Sequence, residues 1–370
     1  MLKSFRSRIN QSIDSISQKI TQSAIARWNP YSRLLISSDS ASWVLDWEKR
    51  ELSQIAQKLG IRFLTPELLI YAKNQSIFYY SQFILLETSY LEQSHHIGFS
   101  YFHGHPETPE EPKFSECYQR LCQHHERVQR IQVSHSEMKN IILDSGIAPE
   151  KVFLIPIGIN LSFFSPQTLE SRQKIRQKYN IPSSAVVVGS CQKDGVGWEE
   201  GLEPKLIKGP DIFLKTIELL KLKIPELFVL LSGPARGYVK TGLERLKVPY
   251  YHRYLSHYPE VGELFQALDL YIIASRQEGG PKAVLESMAS GIPLITTRVG
   301  QAMDLVEHGK NGWMVDVEDA EGLAHWAEYA LTHKSDRDRI IQAGLQTAKA
   351  NSYDAQIPLW REFMQGFVEF

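Results

Sequence analysis

The sequence has few cysteines, no long hydrophobic run and almost no net charge. Its three cysteines, Cys117, Cys122 and Cys191, are an odd number without a CxxC pair. This pattern favours a reducing compartment over a disulfide framework and contains no zinc motif. No apolar run has the length of a membrane span, and the N-terminus lacks the apolar region of a secretion signal. We therefore expect a cytoplasmic protein.

The charge balance argues against one class of partner. The formal net charge is −1, so no global field attracts nucleic acid. The hydrophobic fraction of 43% and the charged fraction of 22% are ordinary for a globular protein. At 370 residues the chain is too long for one ordinary core, which predicts two domains.

The first thirty residues carry apolar side chains at steps of three and four, which predicts an amphipathic helix over residues 1–30. The apolar positions are Leu2, Phe5, Ile9, Ile13, Ile16, Ile20 and Ala24. The other positions are mostly basic, with one acid, Asp14. Two interpretations stay open: the helix lies on an anionic membrane surface, which would make the protein peripheral on the inner face, or it packs on its own domain.

After Pro30, short apolar strands alternate with amphipathic helices, which predicts an α/β fold with parallel sheets. Strands are predicted at residues 34–37, 62–64, 77–80, 97–102 and 131–134, and again at 185–189, 227–232, 270–274, 294–297 and 312–315. The two runs predict two doubly wound, Rossmann-like domains facing each other across a cleft. We expect an N-terminal acceptor-side domain over residues 31–165, a nucleotide-binding domain over 166–350 and a closing helix over 351–370.

The strongest chemical signal is the segment LYIIASRQEGGPKAVLESMASGIPLI at residues 270–295. A strand is followed by Gly279 and Gly280, which let a ligand approach the backbone, and then by Pro281, which is favoured at the start of a helix. The free N–H groups there suit a pyrophosphate. Glu278 and Glu286 flank this start, so their carboxylates can accept hydrogen bonds from hydroxyls at two ends of a long ligand.

The stretch EGGPKAVLESMASGIPLITT resembles the Glu-x7-Glu signature of the retaining glycosyltransferases of the family 4 type, which have the GT-B architecture. The resemblance implies that Glu278 contacts the transferred sugar as a catalytic residue and that Glu286 binds the nucleotide ribose. It further implies that the sugar and phosphates lie against the segment that contains Gly279, Gly280, Lys282 and Ala283. The common form has an aromatic residue and another glycine where this chain has Gly280 and Pro281, and the proline removes one N–H donor.

Other segments resemble the same family in the same order. The segment at residues 133–160 resembles the end of its first domain, and the KG step in LIKGPDIF makes Lys208 the counterpart of the family's phosphate-binding lysine. Lys193 is either the counterpart of the family's arginine, displaced by an insert at residues 194–206, or a solvated loop residue. In LLSGPARG, the resemblance places Gly233 near the nucleotide.

In the first domain, the segment SYFHGHPE places His103 and His105 after a predicted strand. The family often has a histidine here near the transferred sugar, so we expect His103 to face the cleft as a second catalytic candidate, with His105 solvated. The alternative is a surface loop with two solvated histidines.

One pair of aspartates has the spacing of a metal-binding DxD motif. Asp336 and Asp338 spell a DxD pair, but they fall at a predicted helix start, where aspartate serves as a cap. The resemblance implies no metal and no cofactor, with the nucleotide sugar as a substrate.

We expect a glycosyltransferase that moves a sugar from a nucleotide sugar to a glycan, lipid or other acceptor, in glycan or glycolipid biosynthesis. The expected partners are this donor and a glycan or lipid-linked acceptor, without nucleic acid. The alternatives are a non-catalytic sugar-binding protein of the same fold and a nucleotide-sugar epimerase. Intact Glu278, Glu286 and Lys208 favour the enzyme.

Overall fold

A computed structural model describes residues 32–38, 43–65, 73–87, 91, 94–255 and 257–370. The helix predicted over residues 1–30 and the middle of the loop after the first strand lie outside these residues. In the part of the chain that the structure describes, no helix is both long and apolar enough to cross a membrane.

The N-terminal domain is built on a parallel sheet with the order β1-β2-β3-β4-β5. Its strands are β1 (Leu34–Ser37), β2 (Ser76–Tyr79), β3 (His96–Tyr101), β4 (Val128–Val133) and β5 (Val152–Leu154). Phe63 forms an isolated parallel bridge with Leu34 on the free edge of β1. The chain therefore moves outward from β1 to Phe63 and then returns to β2, which is the reversal of a doubly wound sheet.

Helices cover both faces of this sheet, as the reversal requires. Helix α1 (Trp43–Lys58) packs on one face through Leu45, Leu52 and Ile55. Helices α2 (Pro112–His124) and α3 (Ser136–Leu143) pack on the other face. Short 3-10 helices occupy Gln82–Leu86, His125–Arg127 and Pro149–Lys151.

The C-terminal domain has a second parallel sheet with the order β11-β10-β9-β6-β7-β8. Its strands are β6 (Val186–Cys191), β7 (Leu227–Ser232), β8 (Tyr250–Arg253), β9 (Leu270–Ile273), β10 (Leu294–Thr297) and β11 (Trp313–Val315). The order reverses between β6 and β9, so the predicted pair of doubly wound domains is confirmed. Strand β8, at the sheet edge, was not predicted because its sequence, YYHR, has no apolar alternation and every residue is half-buried.

The helices of this domain lie on both faces of the sheet. They are α4 (Leu169–Lys178), α5 (Pro210–Lys221), α6 (Gly237–Arg245), α7 (Glu260–Phe265), α8 (Ala283–Ala289), α9 (Ala302–Leu305), α10 (Ala320–Thr332) and α11 (Lys334–Ala350), with a 3-10 helix at Leu206–Lys208. Helix α8 begins at Ala283, so the prediction that Pro281 opens it was wrong by two positions. Pro281 instead lies in the preceding loop, and its carbonyl accepts a hydrogen bond from the N–H of Val284 at 3.1 Å.

The last helix, α12 (Ile357–Met364), returns to the N-terminal domain and packs beside α1. Trp360 is buried, and its ring meets Phe78 of β2 and Phe363 edge to face, at 5.7 Å and 5.2 Å between centroids. Arg130 of β4 donates to the carbonyl of Phe363 at 3.0 Å. The chain therefore crosses between the domains twice, and its C-terminal helix completes the core of the first domain.

We expect Trp360→Ala to destabilise the N-terminal domain by about 3–5 kcal/mol, because it leaves a cavity between α12 and the sheet. The measurement is the urea midpoint of that domain's unfolding transition. The control is Leu359→Ala on the same helix, whose side chain is exposed and should change stability by less than about 1 kcal/mol. Equal midpoints for the two variants would contradict this packing.

Candidate active site

A cavity of about 420 Å³ lies between the two domains, at the carboxyl ends of β6 and β9. This is the point where the order of the second sheet reverses, which is where doubly wound folds bind ligands. The structure brings together on its wall every predicted site residue except Gly279: Glu278, His103, Glu286, Lys208, Lys193, Gly280, Lys282, Ala283 and Gly233.

Gly279 joins the domains instead of lining the cavity. A Cβ at this position would lie 1.3 Å from the carbonyl oxygen of Phe102 in the N-terminal domain, so no larger residue fits. The carbonyl of Gly279 accepts hydrogen bonds from Ser134 Oγ at 3.0 Å and from the N–H of Gln301 at 3.0 Å. The first domain therefore fixes the position of the loop that carries Glu278.

The KG step places Lys208 beside Glu278. Gly209 has φ +61°, and a Cβ there would lie 1.8 Å from the carbonyl oxygen of Ala274 at the end of β9. Only glycine allows this close approach. Lys208 Nζ consequently lies 2.5 Å from Glu278 Oε2, while Ser275 Oγ donates to Oε1 at 2.9 Å. The two predicted donor-binding groups form a partly exposed ion pair.

Glu286 also lines the cavity and is buried. Its Oε1 accepts a hydrogen bond from the hydroxyl of Tyr258. Burial raises the pKa of Glu286, and the nearby Lys282 and the Tyr258 hydrogen bond act in the opposite direction. A carboxylate in this setting keeps acceptor capacity for further hydroxyl donors.

Lys282 is held by groups from distant parts of the chain. Its ammonium forms an ion pair with Glu48 of α1 and donates to the hydroxyl of Tyr353 at 3.1 Å. It also lies 4.7 Å from the ring centroid of Tyr258, within cation–π range. Tyr353 in turn donates to Glu48 at 2.7 Å. Lys282 therefore lines the cavity, and its ammonium is already paired with Glu48 and Tyr353.

His103 faces the cavity from the N-terminal domain. Its ring stacks on Phe83 at 5.0 Å, and its Nε2 is buried without a hydrogen-bond partner among the described residues. Burial, with the positive charges of Lys208 and Lys205, lowers the pKa of His103 to about 4. The imidazole is therefore neutral near pH 7, and its free nitrogen can exchange a hydrogen bond with a ligand hydroxyl.

Lys193 immediately precedes the insert at residues 194–206. Its ammonium donates to the carbonyl of Gly195 at 3.1 Å and lies 5.0 Å from the ring centroid of Trp198. Burial, together with Lys205 and Lys208, lowers the pKa of Lys193. Lys193 therefore adds a second lysine, beside Lys208, to the lining of the cavity.

The aspartates of the DxD pair lie near the start of α11 and pair with neighbouring side chains. Tyr329 of α10 donates to Asp336 at 2.6 Å, and Arg337 lies 3.4 Å from Asp338. Among the described residues, no group of three or more His, Cys, Asp or Glu side chains could hold a metal ion.

Four residues of the site were missed from the sequence: Glu48, Trp198, Tyr258 and Tyr353. They come from α1, the insert, the segment before α7 and the segment before α12. No spacing in the sequence relates them to one another, because they come from four separate segments of the chain that meet only in the folded structure.

Two doubly wound domains with a ligand cavity between them define the GT-B architecture. The structure of Anabaena Alr3699/HepE in complex with UDP-glucose has a TM-score of 0.69 with this chain at 15% identity, covering 90% of this chain and 99% of that one. Sucrose-phosphate synthase from Thermosynechococcus elongatus has a TM-score of 0.62 at 18% identity, covering 78% of this chain and 74% of that one. At such identities the likeness shows the fold.

Residues 202–347, within the C-terminal domain, match the family model described as "Glycosyl transferases group 1". The chain is 29% identical over 205 residues to the D-inositol 3-phosphate glycosyltransferase of Corynebacterium urealyticum, a match that spans 52% of this chain and 45% of that protein. It is 25% identical over 267 residues to the enzyme of the same name from Corynebacterium aurimucosum, spanning 67% and 59%. The chain thus covers about half the length of these relatives.

A buried histidine near this site predicts a pH dependence of stability. Burial lowers the pKa of His135 to about 4, against roughly 6.5 in an unfolded chain. Between these values the unfolded state binds a proton that the folded state does not, so the free energy of unfolding should fall as the pH drops from 6.5 to 4. His135→Gln should lose less stability than the parent between pH 7 and pH 5 in urea unfolding. Equal losses would refute the assignment to His135.

Proposed function

We propose that this protein is a glycosyltransferase that moves a sugar from a nucleoside-diphosphate sugar to an acceptor hydroxyl. The observation that carries the proposal is the convergence of Glu278, Lys208, His103 and Glu286 on one interdomain cavity. These groups come from both domains, and their chemistry suits the hydroxyls of a sugar and a ribose and the charge of a diphosphate. The names of the matched relatives support the same activity.

Each group has a role in holding the donor. Glu286, buried beside Tyr258, accepts hydrogen bonds from the ribose hydroxyls. Lys208 and Lys193 neutralise the diphosphate. Glu278 and the neutral His103 bind the hydroxyls of the sugar, which places its anomeric carbon near the acceptor side of the cavity.

In the transfer step, the acceptor oxygen forms a bond with the anomeric carbon as the bond from that carbon to the diphosphate breaks. The electron pair leaves with the diphosphate, and the hydroxyl proton passes to its departing oxygen. Lys208 and Lys193 stabilise the negative charge that develops there, and Glu278 stabilises the positive character of the sugar. Retention at the anomeric carbon is proposed from the resemblance of the Glu-x7-Glu motif, and the acceptor is proposed to be a glycan, a lipid-linked sugar or another glycoside.

A screen of nucleotide sugars tests the proposal directly. A donor that binds only the folded protein should raise the melting temperature, and one member of a panel of UDP-glucose, UDP-galactose, GDP-mannose and ADP-glucose should do so. Release of the nucleoside diphosphate in the presence of a glycoside mixture should follow with that donor. Rearrangement of the nucleotide sugar without an acceptor would instead indicate an epimerase.

The two glutamates should differ in their kinetic effects. Glu286→Gln should raise the donor KM by about tenfold or more, because its contact is made equally in the ground and transition states. Glu278→Gln should lower kcat by about a hundredfold, because its carboxylate interacts more strongly with the charged transition state. Glu307→Gln, a surface carboxylate paired with Lys310, is the control and should change neither. An increase in KM alone at both positions would show that these roles are wrong.

We also propose that transfer needs no metal, because Lys193 and Lys208 can supply positive charge to the departing diphosphate. Activity should persist after dialysis against EDTA, within about twofold of the untreated protein. Complete loss that manganese or magnesium restores would contradict this.

A further inference from the structure

A second cavity of about 310 Å³ opens beside the donor cavity, on the side of the N-terminal domain. We call it the side chamber. The donor cavity and the side chamber share part of their walls: Val44, His103, Trp198, Gly280 and Lys282. A molecule in the side chamber would therefore touch the place where His103 meets the transferred sugar.

The described walls of the side chamber are mostly aliphatic and aromatic: Val44, Leu45, Phe83, Phe102, Ile157 and Trp198. Its charged groups, Glu48 and Lys282, are paired with each other and with Tyr353. A hydroxyl-rich occupant would give up hydrogen bonds to water and find few free partners on these walls. An apolar occupant would gain contact and lose no hydrogen bond.

Trp198 is the exposed wall of the side chamber, and buried contacts fix the start of the loop that carries it. Its loop begins at Asp194, whose carboxylate lies 2.9 Å from Arg236 Nε in a fully buried ion pair. Gly195 packs so closely on the backbone of Ala235 that a Cβ would lie 2.4 Å from its carbonyl oxygen. The loop thus holds a large aromatic side chain, 58% exposed, over two adjoining cavities.

From this geometry we propose that the side chamber binds the apolar aglycone of a glycoside acceptor, with Trp198 as the surface that the aglycone contacts. The inference rests on the proposed glycosyltransferase function and names its acceptor class. The side chamber's volume of about 310 Å³ is about twice the roughly 150 Å³ that accommodates benzene, so it has room for an aryl or alicyclic group of one or two rings. The sugar of the acceptor then lies at the shared wall, where its hydroxyl meets the donor.

The test compares phenyl and methyl glycosides of glucose, galactose and mannose, titrated calorimetrically into the full-length protein saturated with a nucleoside diphosphate. In at least one pair, the phenyl glycoside should bind at least tenfold more tightly than the methyl glycoside. Trp198→Ala should abolish this preference when both glycosides are titrated into the variant saturated with the same nucleoside diphosphate. Leu202→Ala is the matched control, since Leu202 belongs to the same insert and is also 58% exposed. It should keep the preference.

Two results would overturn the acceptor assignment. One is equal or undetectable binding of phenyl and methyl glycosides, and the other is a phenyl preference that Trp198→Ala leaves intact. The proposed function is tested separately by the nucleotides: failure of UDP, GDP and ADP to bind the parent protein would count against glycosyl transfer. Nucleotide binding with no phenyl preference would count only against the side chamber.

Discussion

The ion pair between Lys282 and Glu48 is the interaction on which the geometry of the cavity depends. Lys282 follows the double glycine of the donor loop, and Glu48 lies on the first helix of the other domain. Both side chains are nearly inaccessible, at 10% and 2% exposed, so neither charge is well hydrated. A buried pair of this kind adds little net stability, but loss of one partner leaves an uncompensated charge. The pair therefore specifies how the domains meet more than it stabilises either one.

Around this pair, the first domain determines the shape of the donor loop. Gly279 lies against the backbone of Phe102, and a Cβ on Gly280 would lie 2.3 Å from Ile157. Gln301 accepts a hydrogen bond from the N–H of Ile157 at 2.9 Å and donates to the carbonyl of Pro281 at 3.3 Å. Gly279 is thus required for the close contact with the backbone of the first domain, whereas Gly280 lies against an isoleucine side chain that can shift. Because the loop is held from both sides, Glu278 is oriented before a substrate arrives.

The sequence predicted the features that depend on neighbouring residues, and it missed the contacts between residues that are far apart in the chain. Strands such as β7 and β10 follow from short apolar runs bounded by polar residues, and the doubly wound order follows from strand–helix alternation. Glu278 and Glu286 were found because they flank a turn marked by two glycines and a proline, and Lys208 was found because its KG step resembles that of the family. Glu48 and Tyr353 are 305 residues apart in sequence and share a hydrogen bond, which no spacing rule can reveal. Trp198 lies in an insert with no periodic pattern, so its contact with the cavity depends on the buried pair of Asp194 and Arg236.

The two glutamates of the donor cavity each have a hydrogen-bonding partner. Lys208 is bound to Glu278, and Glu286 accepts from Tyr258, so these charges are not left unpaired in a partly dry site. Under the proposed function, the ammonium of Lys208 keeps further N–H donors for the diphosphate, and the carboxylate of Glu278 keeps acceptor positions beside Lys208 and Ser275 for the sugar. Glu286 has the same property, because a carboxylate has about four acceptor positions and Tyr258 uses one. Both ends of the proposed donor can therefore bind to the site as it stands. The pairs that keep these charges from being isolated in the cavity thus also orient each carboxylate while leaving hydrogen-bonding capacity for a ligand.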